Sequence, residues 1–283
     1  MGLSFDVFSS RRPGVNRTTP PGLESFEWVP TTSTLIYGVT DAVLVDTQLT
    51  TEAANSLADW VAAKGKNLTT IYITHGHGDH FFGNSILLKR FPDAKIVSTQ
   101  EVVSRMRTES SSDRVENFWN KLFPGEIPDN FVYGEPLQQD EIELEGEKLA
   151  VVRIGHTDCD DTTALWAPSI GLLVAGDSVY GNTYPYLGES VTQEARSAWI
   201  TALDRIADLQ PKFVVGGHSD PEKGYTPVAI TETKGYLEDF ERIAQQSTTA
   251  EEIYNSMLHL HPGRLNPGSL WGGATLVATK AAT

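Results

Sequence analysis

Within residues 75–80 the chain gathers four side chains able to bind metals, His75, His77, Asp79 and His80, in the run Ile73-Thr-His-Gly-His-Gly-Asp-His80. The run follows directly on an apolar stretch, Thr70 to Ile73, that reads as a β-strand. Alternate residues of an extended chain point the same way, so His75 and His77 can converge on one cation, with Gly76 and Gly78 letting the backbone turn beside it. Asp79 and His80 then face a second site. A chain of this kind is built around metal ions.

One His-x-His pair would carry little weight, because histidines also sit singly on surfaces and in cores. This chain, however, has only seven histidines, and five of them (His75, His77, His80, His156 and His218) stand just after an apolar stretch or at its exit. His156 follows Leu149-Ala-Val-Val-Arg-Ile154, and His218 follows Phe213-Val-Val215 and two glycines. Asp177 closes the apolar stretch Gly171-Leu-Leu-Val-Ala-Gly176 in the same manner.

His-x-His-x-Asp-His, then a lone His, an acid and a final His, in that order, resembles the metallo-β-lactamase fold superfamily over roughly Thr34 to His218. The resemblance implies an α+β chain folded as a four-layer αβ/βα sandwich, with a dinuclear site at the edge of two sheets. It implies that His75, His77 and His156 hold the first metal, that Asp79, His80 and His218 hold the second, and that Asp177 bridges them. An aspartate at the bridging position resembles the lactonase, glyoxalase II and ribonuclease Z branches. The flavodiiron branch has glutamate in place of the second histidine of the motif, so His77 argues against a redox reading.

Imidazole and carboxylate without thiolate suit zinc, although iron or manganese would fit such ligands too, and the expected cofactor is two Zn²⁺ per chain. Two cations about 3.5–4 Å apart would hold a water between them and bring its pKa from near 16 towards roughly 7, supplying a hydroxide nucleophile. Asp79 is expected to orient it and later to pass a proton to the leaving group, beyond its role as a ligand. Tyr180, three residues past Asp177, stands where lactonases of the superfamily place a tyrosine, and its phenol is a candidate oxyanion donor. The expected activity is that of a metal-dependent hydrolase opening a lactone, lactam or other small ester or amide, with a thioesterase resembling glyoxalase II as the alternative. A mononuclear iron dioxygenase is a further reading. A noncatalytic scaffold would be expected to have lost ligands, and none is missing here.

The 22 basic and 37 acidic residues leave a net charge of −15, which repels a phosphate backbone and forgoes the counterion release behind nucleic-acid binding. The expected partner is therefore a small molecule, uncharged or weakly polar, and not nucleic acid. No apolar run approaches a membrane span and no secretory leader is visible, so a soluble, cytoplasmic protein is expected. Asn16-Arg-Thr18 and Asn67-Leu-Thr69 match the glycosylation acceptor pattern but read as coincidences in that setting. The single cysteine, Cys159, has no partner for an intrachain disulfide and reads as a spectator near the site. Residues 1–283 are expected to form one domain, since no linker separates the motifs and ligands spread from 75 to 218 must share one structural unit.

Residues 1–24, with Arg11, Arg12, Pro13, Pro20 and Pro21, read as an irregular arm. Thr34–Val39 and Ala42–Val45 read as a hairpin, with Asp46 at its end where the superfamily usually keeps an acid, and Thr51–Lys64 has helical spacing. Residues 192–209 read as an amphipathic helix, and two helices within 226–260 close the chain, packed on the outer layer or forming a homodimer face. The segment from Glu101 to Tyr133 is longer than a crossover needs; it either covers the site with an apolar wall or packs on the scaffold. Candidate substrate contacts are Trp119 in this segment, Phe82 after the metal motif, where phenylalanine is more often core than pocket, and Tyr184, which shares with Asn182 and Tyr186 a loop that could rim a pocket or simply be a loop. His259 and His261 form a second His-x-His pair without companion acids at ligand spacing, read as surface or substrate rim.

Overall fold

The computed structural model describes residues 2–12, 15, 19–25 and 27–281. Eleven strands are found among them: β1 (Ser4–Arg12), β2 (Trp28–Tyr37), β3 (Asp41–Val45), β4 (Asn67–Tyr72), β5 (Lys95–Ser98), β6 (Glu135–Pro136), β7 (Glu141–Leu144), β8 (Glu147–Gly155), β9 (Thr162–Ala167), β10 (Leu172–Gly181) and β11 (Phe213–Ser219). The α-helices are α1 (Thr51–Ala63), α2 (Gly78–Phe81), α3 (Asn84–Arg90), α4 (Gln100–Glu109), α5 (Ser112–Arg114), α6 (Asn120–Leu122), α7 (Gln193–Ala207), α8 (Val228–Gln246), α9 (Ala250–Leu260) and α10 (Pro267–Ala281).

The strands form two sheets, ordered β1-β2-β3-β4-β5-β6 and β11-β10-β9-β8-β7. Ile36, Val43, Val45 and Tyr72 of the first sheet meet Leu165, Leu172, Val174 and Val215 of the second, filling the space between them. The outer face of the first sheet packs on α1, α3 and α4 through Leu44, Leu57, Ile71, Leu87 and Met106. The outer face of the second packs on α7 to α10 through Leu173, Trp199, Leu237, Met257 and Leu270. Helix, sheet, sheet, helix is the order of layers expected from the sequence.

Local chemistry explains the elements that carry the site. Thr50 caps α1 by accepting from Ala53 N–H, and Ala54, Leu57, Ala58 and Val61 recur at helical spacing on its buried face. Thr192 caps α7 in the same way, with Trp199, Ala202, Leu203 and Ile206 buried. β3, β4 and β5 run parallel, and residues 73–77 leave the end of β4 as the metal motif before α2 begins at Gly78. No helix among the described residues is long and apolar enough to cross a membrane.

Two expectations are corrected. The arm is not irregular throughout: Ser4–Arg12 is a strand antiparallel to β2, with Phe5 opposite Ile36 and Val7 opposite Thr34. The alternation within it is real, since Phe5 and Val7 face the inter-sheet core while Asp6 reaches Lys64 and Phe8 packs on Trp60 across the other face. Pro13 and the acceptor triplet Asn16 to Thr18 lie outside the described residues. At the other end, α8 and α9 are followed by a third helix, α10. Its glycines (Gly268, Gly272 and Gly273) weaken helix propensity, yet Leu270, Ala274 and Val277 are placed on one face and buried in the outer core, which overrides it.

Candidate metal centre

The two sheets open at one edge, and the ends of their strands converge there. Two groups of buried side chains present ligand atoms within 4.8 Å of one another: His75, His77, Asp158 and Asp177 in one, and Asp79, His80 and His218 in the other. Asp177 links the groups. Its Oδ1 stands 3.2 Å from His80 Nε2 and its Oδ2 3.1 Å from His218 Nε2. Asp79 lies 3.4 Å from His218 Nε2 and 3.8 Å from His80 Nε2.

Each imidazole is oriented from behind. Asp46, at the end of β3, accepts from Thr74 N–H and Thr74 Oγ1, and its Oδ2 lies 3.0 Å from His80 Nδ1. The carbonyl of Pro30 lies 3.0 Å from His218 Nδ1, and Thr74 Oγ1 3.1 Å from His75 Nδ1. His77 is turned the other way, with Nδ1 2.9 Å from Asp158 Oδ2 and Nε2 3.0 Å from Glu189 Oε1. Glu189 is tied in turn to Arg105 of α4 at 2.5 Å. Gly217 completes the cradle: a Cβ there would strike Asp177 Oδ1 and the His80 ring.

His75 Nε2, His80 Nε2, Asp158 Oδ2 and Asp177 Oδ1 are buried without a hydrogen-bond partner. Buried polar atoms are ordinarily satisfied, and four that face one another as mixed nitrogen and oxygen donors fit divalent cations. The electrostatics agree. Burial favours the neutral form of Asp177, but the facing His218 and His80 outweigh it and hold the carboxyl well below the usual range. Asp79 is lowered to about 2, burial again being overcome by His80 and His218. Burial opposes a charge on His218, yet Asp177 pushes it up to about 10. His75 is brought down to about 4 by burial and by His80.

The structure departs from the expected ligand set at one point. His156 is not in either group; its Nδ1 lies 2.6 Å from Asp160 Oδ1 and its Nε2 2.9 Å from Ser190 Oγ. Asp158, two residues on, stands with His75 and His77 instead. Gly155 adopts φ +97°, a left-handed conformation that glycine tolerates, and it begins the turn that swings His156 aside. Thr157 Oγ1 then donates to Asp158 Oδ1 at 2.9 Å. Cys159 is buried beside the site and belongs to neither group, and burial holds it as a thiol.

A cavity opens over the centre, lined by His77, Asp79, Asp177, Tyr180 and His218 on one side and by Trp28, Phe118, Trp119 and Tyr186 on the other. Tyr180 donates to Asp177 Oδ2 at 2.7 Å, and burial together with Asp177 keeps its phenol protonated. The long segment of α4 to α6 serves both purposes considered for it. Phe123 packs in the core, while a π-helical turn at Val115–Trp119 presents Phe118 and Trp119 to the cavity. Trp119 is fixed by donating through Nε1 to the buried carboxylate of Glu109 at 2.8 Å.

Phe82 and Tyr184 are not among the cavity-lining residues. Phe82 is fully buried behind Trp119, with ring centroids 5.5 Å apart, because α2 turns it into the core of the first sheet. Tyr184 is buried against Tyr236 and donates to His261 carbonyl at 2.8 Å. Asp158, Glu189 and Trp28 escaped the sequence reading, whereas Tyr186 lies in the loop expected to rim a pocket and does line the cavity. The acid two residues after His156 was a legible signal for Asp158; Glu189 and Trp28 are recruited from afar.

Residues 26–218 match the metallo-beta-lactamase superfamily. The match spans well over half of the sequence, and the chain belongs to that superfamily, whose members are generally metal-dependent hydrolases. Among solved structures, a metallo-beta-lactamase from Pontibacter korlensis superposes with a TM-score of 0.60 at 18% identity, covering 84% of this chain and 99% of that one. A metallo-beta-lactamase family protein from Thermus thermophilus gives a TM-score of 0.60 at 22% identity, covering 96% and 91%. At these identities the likeness is one of fold. A Caenorhabditis elegans protein described as a "Beta-lactamase-like protein 2 homolog" is 26% identical over 179 residues, 62% of this chain and 51% of the relative. The chain thus spans about half the length of that curated relative.

Proposed function

We propose that the chain is a dinuclear metal hydrolase that opens a lactone, lactam or other small ester or amide. The observation that carries this reading is the position of Asp177, which touches both ligand groups as a bridging carboxylate would. His75, His77, Asp158 and Asp177 would hold one divalent cation, and Asp79, His80 and His218, with Asp177 shared, the other. Zinc suits these ligands, as do iron and manganese. Bound there, two such cations supply a water ionised near neutral pH and Lewis acidity towards a carbonyl.

The remaining steps fall to the side chains. Asp79, ionised and lining the cavity, accepts a proton during attack and returns it to the leaving oxygen or nitrogen. Tyr180, protonated and beside Asp177, would turn its single O–H from Asp177 to the oxygen on which negative charge develops. Trp28, Phe118, Trp119 and Tyr186 supply an apolar wall that receives the uncharged part of a small-molecule substrate and sheds its water. A panel of lactones, lactams and thioesters offered to the purified, metal-loaded protein tests the proposal. Turnover of lactones or lactams is expected, and activity confined to thioesters would overturn it in favour of a thioesterase resembling glyoxalase II.

A further inference from the structure

The carboxylate of Asp158 changes the composition of the centre. The expected third imidazole, His156, has both ring nitrogens engaged with Asp160 and Ser190. Asp158 is fully buried in its stead. One of its oxygens is held by Thr157, and the other, free of hydrogen bonds, faces His75 Nε2 at 3.6 Å and His77 Nδ1 at 2.9 Å. One half then offers two imidazoles and one carboxylate of its own (His75, His77, Asp158). The other half offers the same donors (His80, His218, Asp79), and Asp177 is common to both. A histidine at the third position would have made the halves unlike, with three imidazoles against two.

Two consequences follow from donor chemistry. Carboxylate oxygen is the harder ligand and suits manganese, whereas imidazole favours zinc and its neighbours. The added carboxylate also brings a further negative charge to the first half, which strengthens attraction for any dication and narrows the margin that nitrogen donors give to zinc.

We infer that Asp158 makes the two halves of the centre chemically matched and oxygen-rich, so that manganese(II) competes with zinc for both of them far better than it would with histidine at this position. The inference rests on the proposed reading of the two groups as metal sites, but it concerns which cation they select and not the reaction.

The test compares the wild-type chain with Asp158→His. Both are stripped of metal, equilibrated with buffered equimolar zinc and manganese, and assayed for bound metal per chain by mass spectrometry. The zinc-to-manganese ratio should be at least about tenfold higher in Asp158→His; an unchanged ratio overturns the inference. If Asp158→His does not fold, Asp158→Asn, which keeps the shape and removes the charge, takes its place. It should lose manganese affinity by about tenfold more than zinc affinity, and equal weakening of both overturns the inference. A wild-type protein that loads two metals yet hydrolyses nothing overturns the proposed reaction alone, and one that binds no metal overturns both.

Discussion

Thr157 holds Asp158. Its hydroxyl donates to Oδ1 at 2.9 Å, which leaves Oδ2 to face His75 and His77. A neighbouring threonine thereby fixes which oxygen of the carboxylate enters the centre, while His156, one residue further back, turns outward to Asp160 and Ser190.

His156→Ala should therefore keep its full complement of metal. The loss of the contacts to Ser190 and Asp160 should cost about 1 kcal/mol of stability. Metal content and a denaturation curve measure the two effects, and a variant missing one cation would restore His156 as a ligand.

Glu189 meets His77 Nε2 and Arg105 together, so it orients the odd ring of the set, the one that presents Nδ1 to the centre. Glu189→Gln should weaken metal binding by about 10- to 100-fold, as is typical when the group behind a ligating histidine is altered. Competition with a chelator of known affinity gives the number, and an affinity equal to that of the wild type would show that His77 needs no such support.

Tyr180→Phe removes the phenol that donates to Asp177. With the metal content intact, kcat should fall by about 10²-fold while KM changes little, the pattern of a donor used in the transition state. Lowered metal affinity with unchanged kcat in the loaded enzyme would instead confine Tyr180 to holding Asp177.

Trp119→Ala removes both a face of the cavity and one of the partners of Glu109. A rise in KM for apolar substrates is expected, with a stability cost of ~3–5 kcal/mol for so large a buried ring. Lowered stability with unchanged KM would assign the residue to the scaffold alone.

Removing the metal should make the centre a proton store. Without cations, the carboxylates Asp177 and Asp79 hold His218 up to about 10, so this imidazole carries a proton at neutral pH that a cation must displace. Metal binding should release protons, and affinity should rise with pH through the neutral range. Calorimetry in buffers of different ionisation enthalpy counts the protons, and binding without release would contradict the pairing.

The metal motif was legible because it is local: a strand, two alternate histidines and a helical turn are encoded within ten residues. Asp46 and Asp177 were legible because each follows directly on an apolar run, although Asp177 lies within β10 and not at its end. Asp158 was hidden by a histidine that satisfies the same pattern two residues earlier, and the choice between them depends on how the chain turns after Gly155, where φ is +97°. Phe82, a candidate contact for which the core is the commoner place, is sent into the core by the turn of α2. Glu189 and Trp28 reach the site only through tertiary packing, which periodicity cannot reveal, while Tyr186 comes from the loop that the sequence offered as a pocket rim. In β1 the arginines and prolines around the strand masked an alternation that its pairing with β2 makes plain.

Each ligand group draws on both halves of the chain. His75, His77, Asp79 and His80 belong to the first half of the sandwich, and Asp158, Asp177 and His218 to the second. Cations seated among them would rivet two halves of the chain across their seam, so that demetallation would loosen the joint on which the whole architecture hinges and not merely silence a pocket.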